Sequence, residues 1–117
     1  MTILEELNTL IEDLGISVET GLFSKKPPDL YLVLTPLVDL FEVYADNLPE
    51  YEMQEVRLSL FSKGNYIKTK NTLTRTLIGA GFTITDMRYI GHEDDTGYHH
   101  YAIDVIKTYK FELDKED

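Results

Sequence analysis

Residues 52–61, Glu-Met-Gln-Glu-Val-Arg-Leu-Ser-Leu-Phe, show the clearest periodic pattern in the chain, because their apolar residues recur at every second position. A period of two is that of a β-strand with one buried face. The core face would carry Gln54, Val56, Leu58 and Leu60, and the other face Met53, Glu55, Arg57, Ser59 and Phe61. We therefore predict a half-buried strand in the middle of the chain.

A helix is predicted directly after this strand. The alternation stops at Ser62, and Asn65 is a candidate N-cap for a helix that runs to Gly79. Its buried face would carry Tyr66, Lys70, Leu73 and Leu77. For Lys70 we favour a packed aliphatic stem with the amine in water, and the alternative is a cation kept for a partner's carboxylate.

The N-terminal part predicts another helix. Thr2 and Glu5 have the spacing of a capping box, and apolar residues follow at helical period until Gly15, which predicts a helix over residues 3–14. Residues 24–29 contain two prolines and predict a loop.

Two β-rich segments follow the loop. Leu30–Thr35 and Val38–Ala45 are separated by Pro36 and are interpreted as two strands or as one strongly bent strand. Residues 46–49, Asp-Asn-Leu-Pro, predict a turn after them.

The C-terminal part predicts a hairpin. Strands over residues 82–90 and 98–109 flank a loop at residues 91–97, and residues 111–117 form a charged tail. The whole chain therefore predicts one domain, residues 1–117, of the α+β class. We expect an antiparallel sheet with two helices packed on one face, in the order α-β-β-β-α-β-β.

Charge is segregated along the chain. Residues 56–85 contain no Asp or Glu but carry five bases, whereas the rest combines six bases with 21 acids. The five bases are Arg57, Lys63, Lys68, Lys70 and Arg75. Such a chain has the complementary patches that a self-assembling subunit needs, and we predict a subunit interface at Lys63, Lys68, Lys70 and Arg75. Alternatively, a basic helix neutralises acidic neighbours within its own fold.

Composition excludes several function classes. A net charge of −10 argues against free nucleic acid as a partner, and zero Cys removes thiolate catalysis and Cys-based zinc sites. The sequence shows no signal segment and no apolar run long enough for a bilayer, so we expect no membrane partner and a cytoplasmic location.

No arrangement of residues predicts a reaction. The sequence lacks a Gly-rich phosphate loop, a Gly-x-Ser-x-Gly elbow and a His-Glu-x-x-His helix. His99 and His100 are consecutive on a predicted strand and would leave opposite faces, which disfavours a metal site with His92. We predict no enzyme activity, no cofactor and no metal. The acids Glu93, Asp94 and Asp95 form a solvated loop tip and are predicted to contact a partner.

Three stretches carry a resemblance to a known family. These are residues 44–49 (Tyr-Ala-Asp-Asn-Leu-Pro), 56–66 (Val-Arg-Leu-Ser-Leu-Phe-Ser-Lys-Gly-Asn-Tyr) and 94–101 (Asp-Asp-Thr-Gly-Tyr-His-His-Tyr). With the length, acidity and element order, they resemble the tail terminator family of siphophages and Gram-positive prophages, also called tail completion or tail-to-head joining proteins. The resemblance covers about residues 30–109.

The resemblance implies a virion structural protein that forms a ring, typically a hexamer, at the head-proximal end of the tail tube. It implies the major tail tube protein and the head–tail connector as partners, assembly in the host cytoplasm and a final place in the virion neck. The alternatives are another neck or minor capsid component, or a small acidic inhibitor that mimics DNA. The five clustered bases argue against a DNA mimic.

Overall fold

The computed structural model describes residues 2–21, 26–43 and 49–110. Its elements in chain order are α1 (Ile3–Asp13), β1 (Ser17–Thr20), β2 (Leu30–Val43), β3 (Pro49–Ser62), α2 (Tyr66–Gly79), β4 (Thr83–His92) and β5 (His99–Lys110). Most of the predicted turn at residues 46–49 and the whole predicted tail at residues 111–117 lie outside the described residues. The α+β class is confirmed.

The five strands form one mixed sheet in the order β1-β2-β3-β5-β4. All neighbouring pairs are antiparallel except β1 and β2, which are parallel, so the predicted antiparallel sheet needs this correction. A four-residue strand carries no local signal of its direction, because its partner is chosen by contacts distant in sequence.

The two predicted segments around Pro36 are one strand, β2, with a bulge between Pro36 and Val38. The predicted and observed orders therefore contain the same number of elements. The first observed strand is β1 (Ser17–Thr20), whereas the prediction counted two strands around Pro36. β1 pairs only with Tyr31–Leu34, so Pro36 lies where β2 has become an edge of the described sheet. Edge positions and bulges are where sheets tolerate proline, which cannot donate a backbone hydrogen bond.

Both helices pack on the same face of the sheet, here called the helix face. Ile3, Leu7 and Ile11 of α1 and Leu73 and Leu77 of α2 join one buried cluster with the strands. The strand members alternate as the sequence predicts: Leu32, Leu34, Val56, Leu58, Leu60, Ile103 and Val105. α1 lies against β1, whereas α2 contacts β3, β4 and β5. The opposite side of the sheet, here called the open face, carries neither helix.

The predicted caps are confirmed. The Thr2 hydroxyl accepts from the Glu5 backbone N–H at 3.1 Å, and the Glu5 carboxylate accepts from the Thr2 N–H at 2.8 Å. The Asn65 side chain accepts from the Ile67 N–H at 3.1 Å, and α2 is followed by Gly81 at φ +92°. In the described part of the chain, neither helix has the length and apolar character needed to cross a bilayer.

Candidate interaction surfaces

The five bases of the acid-free window are in different environments. Arg57, on the open face of β3, donates from Nε to Asp104 Oδ1 at 2.8 Å and from Nη2 to Asp104 Oδ2 at 3.1 Å. Lys63 lies 3.8 Å from Asp29, and its amine is 5.0 Å from the centroid of the Tyr98 ring. Arg57 is therefore held within the subunit, whereas Lys63 remains exposed and its contact with the exposed Asp29 carboxylate is weak.

Lys70 is half-buried on the inner side of α2. Its amine lies 5.5 Å from the centroid of the Tyr101 ring on β5, a cation–π distance. This geometry agrees with the favoured interpretation, in which the stem packs and the amine stays at the edge of the core.

Lys68 and Arg75 are exposed, and they lie seven residues apart on the outer side of α2. Of the four residues predicted for a subunit interface, these two and Lys63 are therefore surface cations, whereas Lys70 is half-buried. Lys68 also lines a shallow groove with Leu14 and Gly15 at the end of α1.

The two helices carry opposite charge. α1 has four acids and no base, and Glu5, Glu12 and Asp13 are exposed. α2 has three bases and no acid. α1 lies over β1 and reaches β5 through Glu6, and its C-terminal end shares a groove with Lys68 and Thr72 of α2, so the acidic and basic helices are neighbours on one sheet face.

The predicted acidic loop is a compact turn between β4 and β5. The Glu93 N–H donates to the Tyr98 carbonyl at 2.8 Å, and the Gly97 N–H donates to the Glu93 carbonyl at 2.7 Å. Asp94 and Asp95 are exposed, whereas the Glu93 carboxylate accepts from the Thr96 hydroxyl at 2.7 Å. Asp94 Oδ1 lies 3.0 Å from His92 Nδ1, within hydrogen-bond distance, so each of Glu93 and Asp94 has a neighbour within the turn while its side chain stays exposed, as does that of Asp95.

His99 and His100 leave opposite faces of β5, as predicted. His99 Nδ1 is 2.9 Å from the Tyr89 hydroxyl on the helix face. His100 stacks on Phe61 of the open face, with ring centroids 4.3 Å apart, and its Nε2 is buried without a hydrogen-bond partner among the described residues. Burial lowers the pKa of His100, the Arg57 charge acts in the same direction and Glu93 opposes it.

An aromatic cluster at one end of the open face was not predicted. Tyr31 stacks on Phe61 with centroids 4.9 Å apart, and Tyr98 contacts both rings edge-on. The Tyr98 hydroxyl donates to the Pro28 carbonyl at 2.7 Å. Tyr31 and Phe61 follow the side-chain alternation of their strands. Only the pairing register of the strands shows that their rings are neighbours.

Exposed apolar residues were also missed. In the described residues the large exposed hydrophobic side chains are Leu37, Val38, Ile67, Ile78, Tyr89 and Ile90. They lie on β2, α2 and β4. Single-sequence patterning treats such residues as core candidates, so only the packed structure identifies them as surface.

Comparison with known proteins does not assign a family. No protein-family model matches this sequence, and no curated protein sequence matches it significantly. In the part of the chain that the structure describes, no three His, Cys, Asp or Glu side chains are grouped so that they could hold a metal ion. The exposed charges of the two helices and of the β4–β5 turn, and the exposed apolar residues, are therefore the surfaces on which a function would depend.

Proposed function

We propose that this protein is a virion structural subunit. It forms a ring at the head-proximal end of a phage tail tube, ends tube polymerisation and joins the tail to the head connector. The observation that carries the proposal is the presence, on one sheet face, of an acidic helix and a basic helix that both have exposed charged side chains. The resemblance to tail terminators supplies the biological setting.

A ring built from one repeated contact requires two different patches that complement each other on every subunit. Exposed cations on α2, Lys68 and Arg75, and exposed acids on α1, Glu5, Glu12 and Asp13, are such a pair of patches. Their opposite charge would orient neighbouring subunits head to tail and accelerate their encounter.

The exposed acids of the β4–β5 loop supply a separate contact. Asp94 and Asp95 belong to neither helix and are held at the tip of a compact turn. We assign this tip to the tube protein or the connector. In this proposal the subunit assembles in the host cytoplasm and ends in the virion neck.

Tube capping is the direct test. The full chain is added to the polymerising major tail tube protein of the same genome, and tube ends and lengths are measured by electron microscopy. We expect a ring on one end of each tube and an arrest of elongation. Tubes that keep growing without a ring would refute the proposal.

The same assay separates the alternatives. A ring that forms on head connectors but never on tubes would indicate another neck component. Tight binding to a DNA-binding protein, competed by DNA, would indicate a DNA mimic, a role for which the exposed cations of α2 are unsuited. A connector gene before this gene and a tail tube gene after it would support the tail terminator assignment.

A further inference from the structure

We propose that the subunit contact joins two apolar patches on opposite edges of the sheet, so that the β2 edge of one copy docks on the α2–β4 edge of the next. The β2 patch is Leu37 and Val38. The α2–β4 patch is Ile67, Ile78, Tyr89 and Ile90. This inference deepens the proposed function and rests on it, because the partner is a second copy of this chain.

The patches lie at the two ends of the sheet. β4 is the last strand on one side, and on the other side β2 extends beyond β1, which pairs only with Tyr31–Leu34. Side chains of the six patch residues are 40–59% exposed. Ile67 and Ile78, eleven residues apart, lie on one side of α2, and Tyr89 and Ile90 are consecutive on β4. Large exposed apolar residues that share a side in this way are typical of an interaction surface.

Bulges on both edges point to contact through side chains. Leu37 lies in the register shift between Pro36 and Val38, and Ile90 lies in the shift between Tyr89 and Gly91. A bulge redirects a side chain and interrupts the row of backbone groups that a new strand would pair with. A long intermolecular ladder of backbone hydrogen bonds is therefore disfavoured at both patches. The bulged residues Leu37 and Ile90 make apolar side-chain contacts with the neighbouring copy instead.

α2 turns its apolar flank away from α1. Lys68 and Thr72 line the groove at the end of α1, whereas Ile67 and Ile78 are on another side of the helix. At the start of α2, Tyr66 stacks on Tyr89 of β4 with ring centroids 5.3 Å apart. This contact holds α2 beside β4, so that helix and strand contribute to one surface.

Charge favours a head-to-tail contact over a symmetric contact between two β2 patches. Near the α2–β4 patch Arg75 is exposed, and near the β2 patch Asp39 is exposed. Asp39 and Pro36 line a groove with Leu4 at the start of the acidic helix α1. Pairing the β2 patch with itself would bring two Asp39 carboxylates together, whereas pairing β2 with α2–β4 brings Asp39 towards Arg75.

Cysteine crosslinking tests the contact, and the chain is suited to it because it contains no natural Cys. The full-length variants Leu37→Cys and Ile90→Cys are oxidised separately and as an equimolar mixture. We expect the mixture to yield a mixed disulfide dimer in a proportion well above that from random collision. Gly64→Cys is the control partner, since Gly64 is exposed and a Cβ there would meet no atom within 4 Å.

A blocking experiment gives an independent readout. Val38→Lys and Ile78→Lys, each on one patch, should each fail to form rings, while their mixture should form dimers through the one intact contact. Sedimentation velocity measures this, and thermal unfolding verifies that each variant is folded. Preferential Ile90→Cys homodimers, or rings from either Lys variant alone, would overturn the inference.

These outcomes are distinguishable from failure of the proposed function. If the parent chain caps tubes as a ring but the mixed disulfide does not form, the ring uses another contact and only this inference fails. If the parent chain neither forms a ring nor caps tubes, the proposed function fails.

Discussion

Arg57 of β3 and Asp104 of β5 are direct cross-strand neighbours joined by a two-point ion pair, Nε to Oδ1 at 2.8 Å and Nη2 to Oδ2 at 3.1 Å. The Asp104 side chain is only 9% exposed, whereas that of Arg57 is 37% exposed. The pair is therefore structural. Because its charge is paired with Asp104, Arg57 does not contribute to the basic surface suggested by the charge pattern of residues 56–85.

Replacing Arg57 should destabilise the fold. Arg57→Leu leaves the nearly buried Asp104 carboxylate without its main partner, and we expect a loss of about 2 kcal/mol in the free energy of unfolding, since water partly screens this site. Urea denaturation measures it. Arg88→Leu is the matched control, because its pair with Asp86 is more exposed and should contribute less than about 1 kcal/mol. Equal losses in the two variants would contradict the structural role.

Glu6 connects α1 to β5, and its replacement should loosen that contact. Its carboxylate accepts from Lys107 Nζ and from the Tyr109 hydroxyl, both at 2.7 Å. Burial raises the pKa of Glu6, but the two hydrogen bonds outweigh burial, so that the pKa lies below its ordinary value. We expect Glu6→Gln to cost about 1 kcal/mol near neutral pH.

The pH dependence of this effect has a definite sign. Because the folded pKa is depressed, the contribution is present above the ordinary Glu value of about 4.3 and is lost as pH falls through the folded pKa. Parent and Glu6→Gln should therefore converge in thermal stability at acid pH. Glu12→Gln, exposed on the same helix, is the control. A stability gap that stays constant with pH would argue against the assignment.

His100 should make stability fall in mild acid. Its pKa is lowered, first by burial, so the unfolded chain takes up a proton at higher pH than the folded one. Stability is then full above about pH 6.5 and decreases below it. His100→Phe keeps a ring to stack on Phe61 and removes the titration, so its melting temperature should fall less between neutral and mildly acidic pH. An equal fall in melting temperature in His100→Phe and the parent would contradict this origin of the effect.

Charge reversal on α2 should weaken self-association. The double variant Lys68→Glu/Arg75→Glu should assemble less than the parent at low salt, and the difference should shrink at high salt because exposed charges are screened. Sedimentation velocity at two salt concentrations measures this. Lys26→Glu/Lys110→Glu changes the net charge equally at two other exposed positions and is the control. Parent-like assembly at both salts would place the contact elsewhere.

The acidic turn should be needed for binding and not for folding. Asp94→Asn/Asp95→Asn should change the free energy of unfolding by less than about 0.5 kcal/mol, because both side chains are exposed and backbone hydrogen bonds close the turn. Co-sedimentation with tail tubes or connectors should show weaker binding. Substitution is preferable to shortening, because Tyr98 beside the turn is buried. A large stability loss would show that these carboxylates pack.

Local features of the structure could be predicted because their causes are local. The Thr2–Glu5 capping box and the Asn65 cap involve residues at most three positions apart. Alternation in residues 52–61 identified the buried face of β3, since neighbouring side chains of a strand must point to opposite faces. The same rule predicted that the side chains of His99 and His100 lie on opposite faces of β5.

Features that depend on strand register could not be predicted. The ion pair between Arg57 and Asp104 spans 47 positions in sequence, and the parallel pairing of β1 depends on which strand lies beside it. The bulges at Leu37 and Ile90 arise where the pairing register of two neighbouring strands shifts. None of these features produces a recognisable pattern within one segment of the sequence.

Residue order and composition alone establish the α+β class, the two capped helices, the buried face of β3 and the segregation of charge, because each follows from neighbouring residues or from composition. Which charges remain available to a partner depends instead on how the strands and helices pack. Pairing of β3 with β5 neutralises Arg57, and packing of α2 on β5 places Lys70 against Tyr101, whereas Lys68 and Arg75 stay exposed. The charge of a side chain follows from its residue type. Whether a partner can contact that charge depends on the distant segments that pack against the side chain.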